Sequence, residues 1–411
     1  MSEQTFVVVG GGLAGAKAVE TLRQEGFDGR VVLLGDEAER PYDRPPLSKE
    51  FMKGTTGRDK AYVHDEGWYA ENGVDLRLGS RVTAIDRSAH EVVLGDGGHE
   101  RYDKLLVATG SEPRRLPLPG ADLDGVLYLR TLPDAERIRE SLERGGRVVV
   151  IGGGWIGLET ASAARHYGAE VVLVEPEAVP LARVLGPELG GFFAGVHRDN
   201  GVDLRFGTGV REIRGSGRVE SVVLSDGTEV EAPVVVVGIG VTPRVELAAE
   251  AGLDIDNGIV VDELLRTSDP DIWAAGDVMN AYNPLLGHRI RVEHWANALN
   301  SGPAAARSML GKGQPYDRVP YFYSDQYDVG MEYSGFAPVG GYDQIVYRGD
   351  PDKGEFIAFW LSEGRVLAGM NVNVWDVVGP IQTLIRSGRP VDVSRLTDTE
   401  VPLEELAPST E

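Results

Sequence analysis

Cysteine is absent from the 411 residues of this chain. Its absence excludes disulfide relays, thiolate nucleophiles, cysteine-ligated zinc and conventional cysteine-ligated iron–sulfur clusters. Disulfide reductases and cysteine-dependent peroxidases are excluded for the same reason. Any redox chemistry must therefore come from a bound cofactor.

Long apolar runs and an excess of positive charge are also absent. No stretch approaches the roughly 20 apolar residues of a membrane helix, and the first residues carry neither a basic region nor an apolar segment of signal-peptide length. Asp and Glu number 64 against 41 Lys and Arg, and the net charge of −23 repels nucleic acid and anionic membranes. We expect a cytoplasmic protein without nucleic-acid or membrane partners, in which an acidic partner needs a local basic patch.

Patterns that predict a metal site are weak. The seven histidines are scattered without the paired spacing of a zinc site. Asp254, Asp256 and Gly258 resemble part of a calcium loop, but Leu265 stands at the twelfth position, where that loop needs an acid. We therefore predict a strand-connecting turn there, and no metal.

Two copies of one strand–glycine–helix pattern are present. The first has an apolar strand at 6–9, the glycines Gly10, Gly12 and Gly15, a helix at 14–24 and a strand at 31–34 that leads to Asp36. The second has a strand at 148–151, Gly152, Gly154 and Gly157, a helix at 158–167 and a strand at 171–174 that leads to Glu175. Each copy is typical of a dinucleotide-binding βαβ unit.

The chemistry of the repeated pattern explains its residues. The first glycine makes a tight turn, the second lets the backbone approach a pyrophosphate, and the third allows close packing of helix and strand. The helix N-terminus offers amide donors and positive dipole charge to the phosphates. Asp36 and Glu175 are candidates to accept hydrogen bonds from ribose hydroxyls; both could instead be solvated turn residues, and Glu37 competes with Asp36. Two dinucleotide sites in one chain favour FAD with a nicotinamide.

Further strands end at glycines, and the pattern changes near residue 321. The strands at 105–108, 234–237 and 272–275 close before Gly110, Gly238 and Gly276. Alternating aromatic strands follow residue 321, including one at 356–361, and then a helix at 377–386. We expect a third, smaller module there, and a loose acidic tail from 397 to 411.

Four longer motifs carry a resemblance. They are PYDRPPLSK at 41–49, GGGWIGLE at 152–159, DIWAAGDV at 271–278 and VEHWANA at 292–298, and PYFYSDQY at 320–327 extends the match to the C-terminal module. The chain resembles NADH-dependent ferredoxin reductases of oxygenase electron-transfer chains, of the putidaredoxin reductase and rhodocoxin reductase type. The resemblance implies an α/β fold similar to glutathione reductase: two Rossmann-like dinucleotide-binding domains and a small C-terminal α+β domain. It also implies an FAD domain at 1–113 and 244–319, an NAD domain at 114–243 and a C-terminal domain at 320–411.

The resemblance implies roles for individual residues. Lys49 would lie near the reactive edge of the flavin, where a cation stabilises negative charge, although it could be an exposed lysine after a proline turn. Glu159 would face the flavin and nicotinamide, although it could be a first-turn glutamate favoured by the helix dipole. Trp295 would pack beside the flavin or serve only in the core. The predicted cofactor-binding residues are Gly10, Gly12, Ala14, Gly15, Asp36, Arg44, Lys49, Val82, Thr109, Gly110, Arg130, Gly152, Gly154, Ile156, Gly157, Glu159, Glu175, Gly238, Gly240, Asp277 and Trp295.

The function implied by the resemblance is hydride transfer from NADH to FAD, followed by transfer of single electrons to a [2Fe-2S] ferredoxin that supplies an oxygenase, with a cytochrome P-450-type monooxygenase among the candidates. Other acceptors stay open, among them rubredoxin, a quinone and monodehydroascorbate, and so does an NADH-sensing role like that of apoptosis-inducing factor. The candidate basic patch for ferredoxin consists of Arg289, Arg291, Arg307, Lys312 and Arg318. Nearby Tyr323 stands where the resembling reductases often carry tryptophan, which puts an aromatic electron route in doubt.

Overall fold

The computed structural model describes residues 4–406. The chain forms two compact units, each built from separate segments. The first unit contains residues 4–43, 59–112 and 242–320, and the second contains residues 44–58, 113–241 and 321–406. The three-domain division expected from the resemblance stays a prediction.

A five-stranded parallel sheet is the centre of the first unit. Its strands, in spatial order, are Ile272–Ala274, Lys104–Val107, Thr5–Val9, Arg30–Leu34 and Val74–Arg77. The inner strands are runs of Val, Leu and Phe that are buried, as expected when helices or other layers cover both faces of a parallel sheet. The helices Leu13–Gln24 and Trp295–Met309 pack against each other beside it. The glycine-containing turn therefore follows the central strand of the sheet.

Two smaller sheets and short helices complete the first unit. An antiparallel sheet contains Val82–Asp86, Glu91–Leu94 and His99–Arg101, and a mixed sheet contains Ile259–Val261, Met279–Asn283 and His288–Ile290. The remaining helical segments are Trp68–Glu71, Glu246–Glu250 and the 3-10 turn Gly276–Val278. The 3-10 turn Arg58–Lys60 and the strands Ser111–Pro113 and Val241–Pro243 lie where the chain passes between the units.

The second unit repeats the parallel architecture. Its strands, in spatial order, are Val202–Phe206, Glu170–Glu175, Arg147–Ile151, Val234–Val237 and Val126–Tyr128. Its helices are Leu132–Glu143, Trp155–His166, Ala182–Leu185 and Pro187–Asp199, with the 3-10 turn Pro45–Ser48. A three-stranded antiparallel sheet contains Val210–Arg214, Ser221–Leu224 and Glu229–Glu231. The second predicted helix begins at Trp155, three residues earlier than expected, because Gly154 already has the extended backbone of an N-cap.

The C-terminal module is an antiparallel sheet covered by a helix. The strands, in spatial order, are Tyr321–Gln326, Val329–Gly335, Arg365–Val372, Glu355–Ser362 and Gln344–Asp350. Its helical segments are Val378–Ser387, Val393–Thr397, Pro351–Lys353 and Leu403–Glu405. Gly369 lets the first of these helices approach, because a Cβ there would lie 2.7 Å from Cγ2 of Ile381.

The loose tail expected from residue 397 is wrong for residues 397–406. Leu403 is only 4% exposed. The guanidinium of Arg348 donates to the backbone oxygens of Asp398 at 2.5 Å and Val401 at 2.7 Å. These bonds and the buried leucine hold the segment on the sheet despite its acidic composition. Residues 407–411 lie outside the described residues.

Two observations bear on membranes and metals. Within residues 4–406, no helix is both long enough and apolar enough to cross a bilayer. The same residues contain no group of three or more His, Cys, Asp or Glu side chains placed to hold a metal ion. Asp256 instead takes part in a turn, where its backbone N–H bonds to the backbone oxygen of Gly258 at 2.9 Å.

Candidate cofactor sites

The first glycine turn packs so tightly that side chains do not fit. Gly10 has φ of +127°, and a Cβ there would lie 2.1 Å from the backbone oxygen of Ala108. A Cβ on Gly15 would lie 2.1 Å from the backbone oxygen of Gly10. Gly12 differs, because no protein atom lies within 4 Å of its Cβ position and no side chain caps the helix that it begins. The helix N-terminus is therefore open to a phosphate-bearing ligand.

Asp36 and Thr109 meet at one arginine in the first unit. The carboxylate of Asp36 pairs with Arg244 at 2.8 Å, and Thr109 Oγ1 donates to the backbone oxygen of Arg244 at 2.8 Å. Glu37, the competing acid, accepts a hydrogen bond from the hydroxyl of Tyr42. Gly110 follows Thr109 with φ of +70°. The predicted ribose acid thus lies beside a strand-end turn, with a cation already bound to it.

Asp277 and Trp295 lie at the starts of two helical segments of the same unit, the 3-10 turn Gly276–Val278 and the helix Trp295–Met309. Asp277 follows the strand Ile272–Ala274 and accepts a hydrogen bond from Ser111 Oγ at 2.9 Å. Trp295 Nε1 donates to Asp43 at 2.7 Å, and burial raises the pKa of Asp43. His294 precedes that tryptophan as the N-cap, and burial lowers the pKa of His294 to about 4 while Asp277 opposes the shift.

Two other predicted FAD contacts belong to the core of the first unit. Val82 and Ala14 are each 6% exposed and lie in the main hydrophobic cluster. A Cβ on Gly302 would lie 2.2 Å from the backbone oxygen of Ala14, so the two long helices touch at this point. The packing explains both residues without a ligand, and their contact with FAD stays a prediction.

The second glycine turn, in the second unit, has the same geometry. Gly152 has φ of +107°, and a Cβ there would lie 2.4 Å from the backbone oxygen of Gly238. A Cβ on Gly157 would lie 2.0 Å from the backbone oxygen of Gly152. Gly154 begins the helix without a side-chain cap, whereas Thr131 caps the neighbouring helix with a complete capping box. The uncapped start leaves amide donors for a ligand.

Glu175 ends its strand with its carboxylate already oriented. The carboxylate accepts hydrogen bonds from the backbone N–H of Gly153 at 2.6 Å and of Glu177 at 2.9 Å. The nearby cation, Arg183, pairs with Glu177 at 2.7 Å. The carboxylate therefore lies at the glycine turn, and the cation that could attract a ribose phosphate is engaged by another acid.

The remaining predicted residues of this turn border it. Ile156, the second residue of the helix, is 41% exposed although it is apolar. Gly240 follows Gly238 with φ of +97°. Their contact with a ligand stays a prediction.

Lys49 and Glu159, the two predicted catalytic residues, form a buried ion pair. Lys49 Nζ lies 2.8 Å from Glu159 Oε2, and the two residues are 6% and 3% exposed. Ser48 also donates to Oε2, and Ser324 donates to Oε1 at 2.7 Å. Lys49 is therefore not an exposed lysine, and Glu159 is the fifth residue of its helix rather than a first-turn glutamate. The catalytic roles of both residues stay predictions.

Other groups add to the charge around Lys49. Burial raises the pKa of Asp325, and the positive charge of Lys49 opposes that shift. The ring centroid of Tyr323 lies 5.3 Å from Lys49 Nζ, within reach of a cation–π contact. Arg44 donates to the backbone oxygen of Arg130, so these two predicted residues are also neighbours. The lysine is thus surrounded by two acids and an aromatic ring.

Comparison with known proteins identifies the family. Residues 4–302 match the family described as pyridine nucleotide-disulphide oxidoreductase, and residues 321–407 match the one described as reductase C-terminal. The chain belongs to the pyridine nucleotide-disulphide oxidoreductase family. This confirms the resemblance and the fold class drawn from the motifs. The chain has no disulphide chemistry of its own, because it has no cysteine.

Relatives within this oxidoreductase family match along the whole chain. The ferredoxin–NAD(+) reductase component of an anthranilate 1,2-dioxygenase system from Burkholderia cepacia is 43% identical, covering 98% of this chain and 99% of that protein. Putidaredoxin reductase from Pseudomonas putida is 39% identical, covering 98% and 97%. A crystal structure of the covalent putidaredoxin reductase–putidaredoxin complex aligns with a TM-score of 0.95 at 39% identity, covering 98% of each chain.

The cofactors of the family are FAD and NAD(H), and the prediction of both is confirmed. The two open helix starts fit such dinucleotides, because each combines an uncapped helix N-terminus with a first and a third glycine at which a Cβ would clash with the backbone. The individual contacts predicted for the cofactors stay predictions.

The candidate basic patch is less positive than its sequence indicates. Arg307 and Lys312 both pair with Glu25, at 2.9 Å and 3.1 Å. The side chain of Arg291 is 9% exposed and pairs with Glu293, so its inclusion was wrong. Arg289 donates to the backbone oxygen of Val261 and is held against the sheet. Arg318 is exposed. The five cations thus do not present five free charges.

The sequence interpretation missed three residues around the buried pair. Ser48 and Ser324 bind the carboxylate of Glu159, and Asp325 lies near Lys49. All three belong to motifs that carry the family resemblance, at 41–49 and 320–327. The motifs therefore contained these residues, but the role of a small polar residue cannot be inferred until its partner is known.

Proposed function

We propose that the protein is an FAD-dependent NADH:ferredoxin oxidoreductase of an oxygenase system. The observation that carries the proposal is the buried Lys49–Glu159 pair, in a chain that has two dinucleotide-type glycine turns and no cysteine. Relatives that match along nearly the whole chain are named as reductases of ferredoxin-type proteins, which supports this acceptor. We place the activity in the cytoplasm, which cell fractionation would test.

FAD, when bound, supplies a two-electron acceptor for the hydride of NADH and returns the electrons one at a time. The protein's share is binding, orientation and electrostatics. Lys49 adds a buried positive charge, Glu159 keeps that ammonium in place, and the neighbouring hydroxyls satisfy the carboxylate. Hydride transfer requires no protein base, so these residues act through charge and position.

Each of the two open glycine turns binds a different dinucleotide. We assign the turn at Gly10–Gly15 to FAD and the turn at Gly152–Gly157 to NADH. In the second turn, Glu175 would bind ribose hydroxyls of NADH and repel the extra phosphate of NADPH. Ile156 would lie against the nicotinamide end.

A reconstituted electron-transfer assay tests the proposal. Purified protein should be yellow with one non-covalent FAD per chain, and it should drive NADH-dependent reduction of cytochrome c only when a [2Fe-2S] ferredoxin is added. NADPH should be a poor donor in the same assay. A colourless protein that takes up no added FAD would rule out the proposal, and turnover with rubredoxin or a quinone but no ferredoxin would assign another acceptor.

A further inference from the structure

A chain of buried polar side chains leads away from the Lys49–Glu159 pair within the second unit. Ser324 bonds to Glu159, Gln326 Nε2 donates to Ser324 Oγ at 3.1 Å, and Gln326 Oε1 lies 2.9 Å from His197 Nε2. The hydroxyl of Tyr327 lies 3.2 Å from His197 Nδ1. Ser324, Gln326 and His197 are 1%, 1% and 0% exposed. The chain therefore runs from the ion pair to the helix Pro187–Asp199 without contact with solvent.

Each hydrogen bond in this chain has only one possible direction. A carboxylate paired with Lys49 can only accept, so Ser324 must give its proton to Glu159. Ser324 then receives its other bond from the amide NH₂ of Gln326, which turns the amide oxygen towards His197. His197 must carry its proton on Nε2, and its Nδ1 accepts from Tyr327. All donors point towards Glu159, and such aligned bonds polarise one another.

Packing of the sheet does not explain why the buried positions 324 and 326 carry polar side chains. The strand Tyr321–Gln326 alternates, and its even residues Phe322, Ser324 and Gln326 are the buried ones. An apolar residue at 324 or 326 would bury more favourably, since a buried polar group costs free energy unless it is bonded. Two consecutive buried positions of this strand are polar, and both bonds lead to one carboxylate oxygen, Oε1 of Glu159.

We propose that Ser324 and Gln326, backed by His197, are positioning residues that fix Oε1 of Glu159 and so direct Oε2 towards Lys49 and Ser48. Ser324 bonds directly to the acid, whereas Gln326 and His197 act on it through Ser324. The proposal rests on the proposed function, because the pair that they orient is the one assigned to the flavin and nicotinamide.

Two substitutions interrupt the series of hydrogen bonds at different positions. Ser324→Ala removes the donor to Glu159. Gln326→Met keeps the length of the side chain, but it removes both the donor to Ser324 and the acceptor for His197. Ser334→Ala is the matched control, because it removes a buried hydroxyl from the same sheet, where Ser334 bonds to Gln382 and not to the ion pair.

The first measurement is the rate constant for reduction of bound FAD by NADH in a single turnover. The variants at Ser324 and Gln326 should each lower this rate constant about tenfold, and both should keep the affinity for NAD⁺ and the full FAD content. The double variant should lose no more than the worse single variant, because both act through one bond. Wild-type rates in both variants, or an equal loss in Ser334→Ala, would overturn the proposal.

The second measurement does not depend on turnover or on the folding of any variant. ¹⁵N NMR of histidine-labelled wild-type protein should show His197 as the neutral tautomer protonated at Nε2. A tautomer protonated at Nδ1 would reverse the bonds and overturn the proposal. If NADH failed to reduce the wild-type flavin, the proposed function would fail, while the tautomer would still decide the direction of the chain.

Discussion

Glu159 is the fifth residue of the helix Trp155–His166 and lies just beyond the first turn, where the helix dipole favours a glutamate without a specific partner. The structure gives this side chain three donors, from Ser48, Lys49 and Ser324, and buries it. Removing one member of such a buried pair leaves an uncompensated charge. The same residue type at the same helical position can therefore be incidental or central, and only its neighbours decide which.

The choice between NADH and NADPH is predicted to depend on Glu175 and Glu177 together. Glu175→Ala should narrow the preference for NADH roughly tenfold, because it removes a charged acceptor and a repulsive charge. Adding Glu177→Gln should narrow it further by up to about fivefold, since Arg183 is then released from an exposed ion pair. Steady-state kcat/KM with both cofactors measures the effect.

Glu170→Gln is the control for this pair, because Glu170 lies at the other end of the same strand and pairs with Arg147. It should leave the cofactor preference unchanged. The assignment would be contradicted if Glu170→Gln changed the preference for NADH as much as Glu175→Ala did, or if Glu175→Ala left that preference unchanged.

Close backbone contacts at glycine, where no side chain fits, position the two helices that follow the glycine turns. The helices Leu13–Gln24 and Trp155–His166 each begin after a glycine turn, and the third glycine, within the first turn of the helix, lies against the backbone oxygen of the first glycine. That a helix follows each glycine turn could be predicted from the strand, the glycines and the following strand. The start at Trp155 could not, because it depends on the extended backbone of Gly154.

Alanine at the third glycine should separate the two cofactors. Gly15→Ala should lower FAD content, because its Cβ would lie 2.1 Å from the backbone oxygen of Gly10. Gly157→Ala should keep FAD but raise KM for NADH at least about tenfold, because the helix must move off its turn. FAD absorbance per chain and steady-state kinetics measure the two effects.

Gly195→Ala provides the comparison, since Gly195 lies inside the helix Pro187–Asp199 with no atom within 4 Å of its Cβ position. It should keep both cofactors and stabilise the helix slightly. Loss of FAD in Gly157→Ala, with Gly15→Ala intact, would exchange the two assignments.

Charge and buried histidine govern the behaviour of the molecule as a whole. Its net charge of −23 opposes an acidic partner, so association depends on local cations. Arg307 and Lys312 are held by Glu25, and hydrogen bonds from both cations lower the pKa of that acid. Because burial lowers the pKa of His197, we expect the folded second unit to lose stability in acid.

Stability should fall between pH 6.5 and pH 4 because of His197. Burial lowers the pKa of His197 from 6.5 to about 4 in the folded protein. The unfolded chain therefore binds the proton first as the pH falls, and up to about 3 kcal/mol of stability is lost across this window. Urea unfolding at pH 7, 6, 5 and 4.5 would show a smaller pH dependence in His197→Asn than in the wild-type protein. Parallel curves for the two proteins would contradict the prediction.

Docking of an acidic ferredoxin should respond to Glu25 as well as to its two partners. Arg307→Glu with Lys312→Glu should lower ferredoxin-dependent turnover at low salt, and Glu25→Gln should raise it, because it frees both cations. Both effects should fade as salt is added. Cytochrome c reduction over a range of ferredoxin concentrations measures them.

Ferricyanide reduction serves as the internal control for the docking variants, because that small acceptor needs no protein interface. Equal losses with both acceptors would place the damage at the flavin or NADH site. No change with either acceptor would place the docking surface elsewhere.

The sequence alone determined the two βαβ units, the family and the exclusion of thiol chemistry, because glycine spacing, strand-end acids and absent cysteine are local properties. It also named Lys49 and Glu159 from motifs. Only the tertiary structure decided that these two form a buried pair, that Ser324 and Gln326 lead to it, and that Glu25 engages two cations of the patch. Those contacts join residues far apart in the chain, and a solvated side chain and a buried partner have the same letter in a sequence.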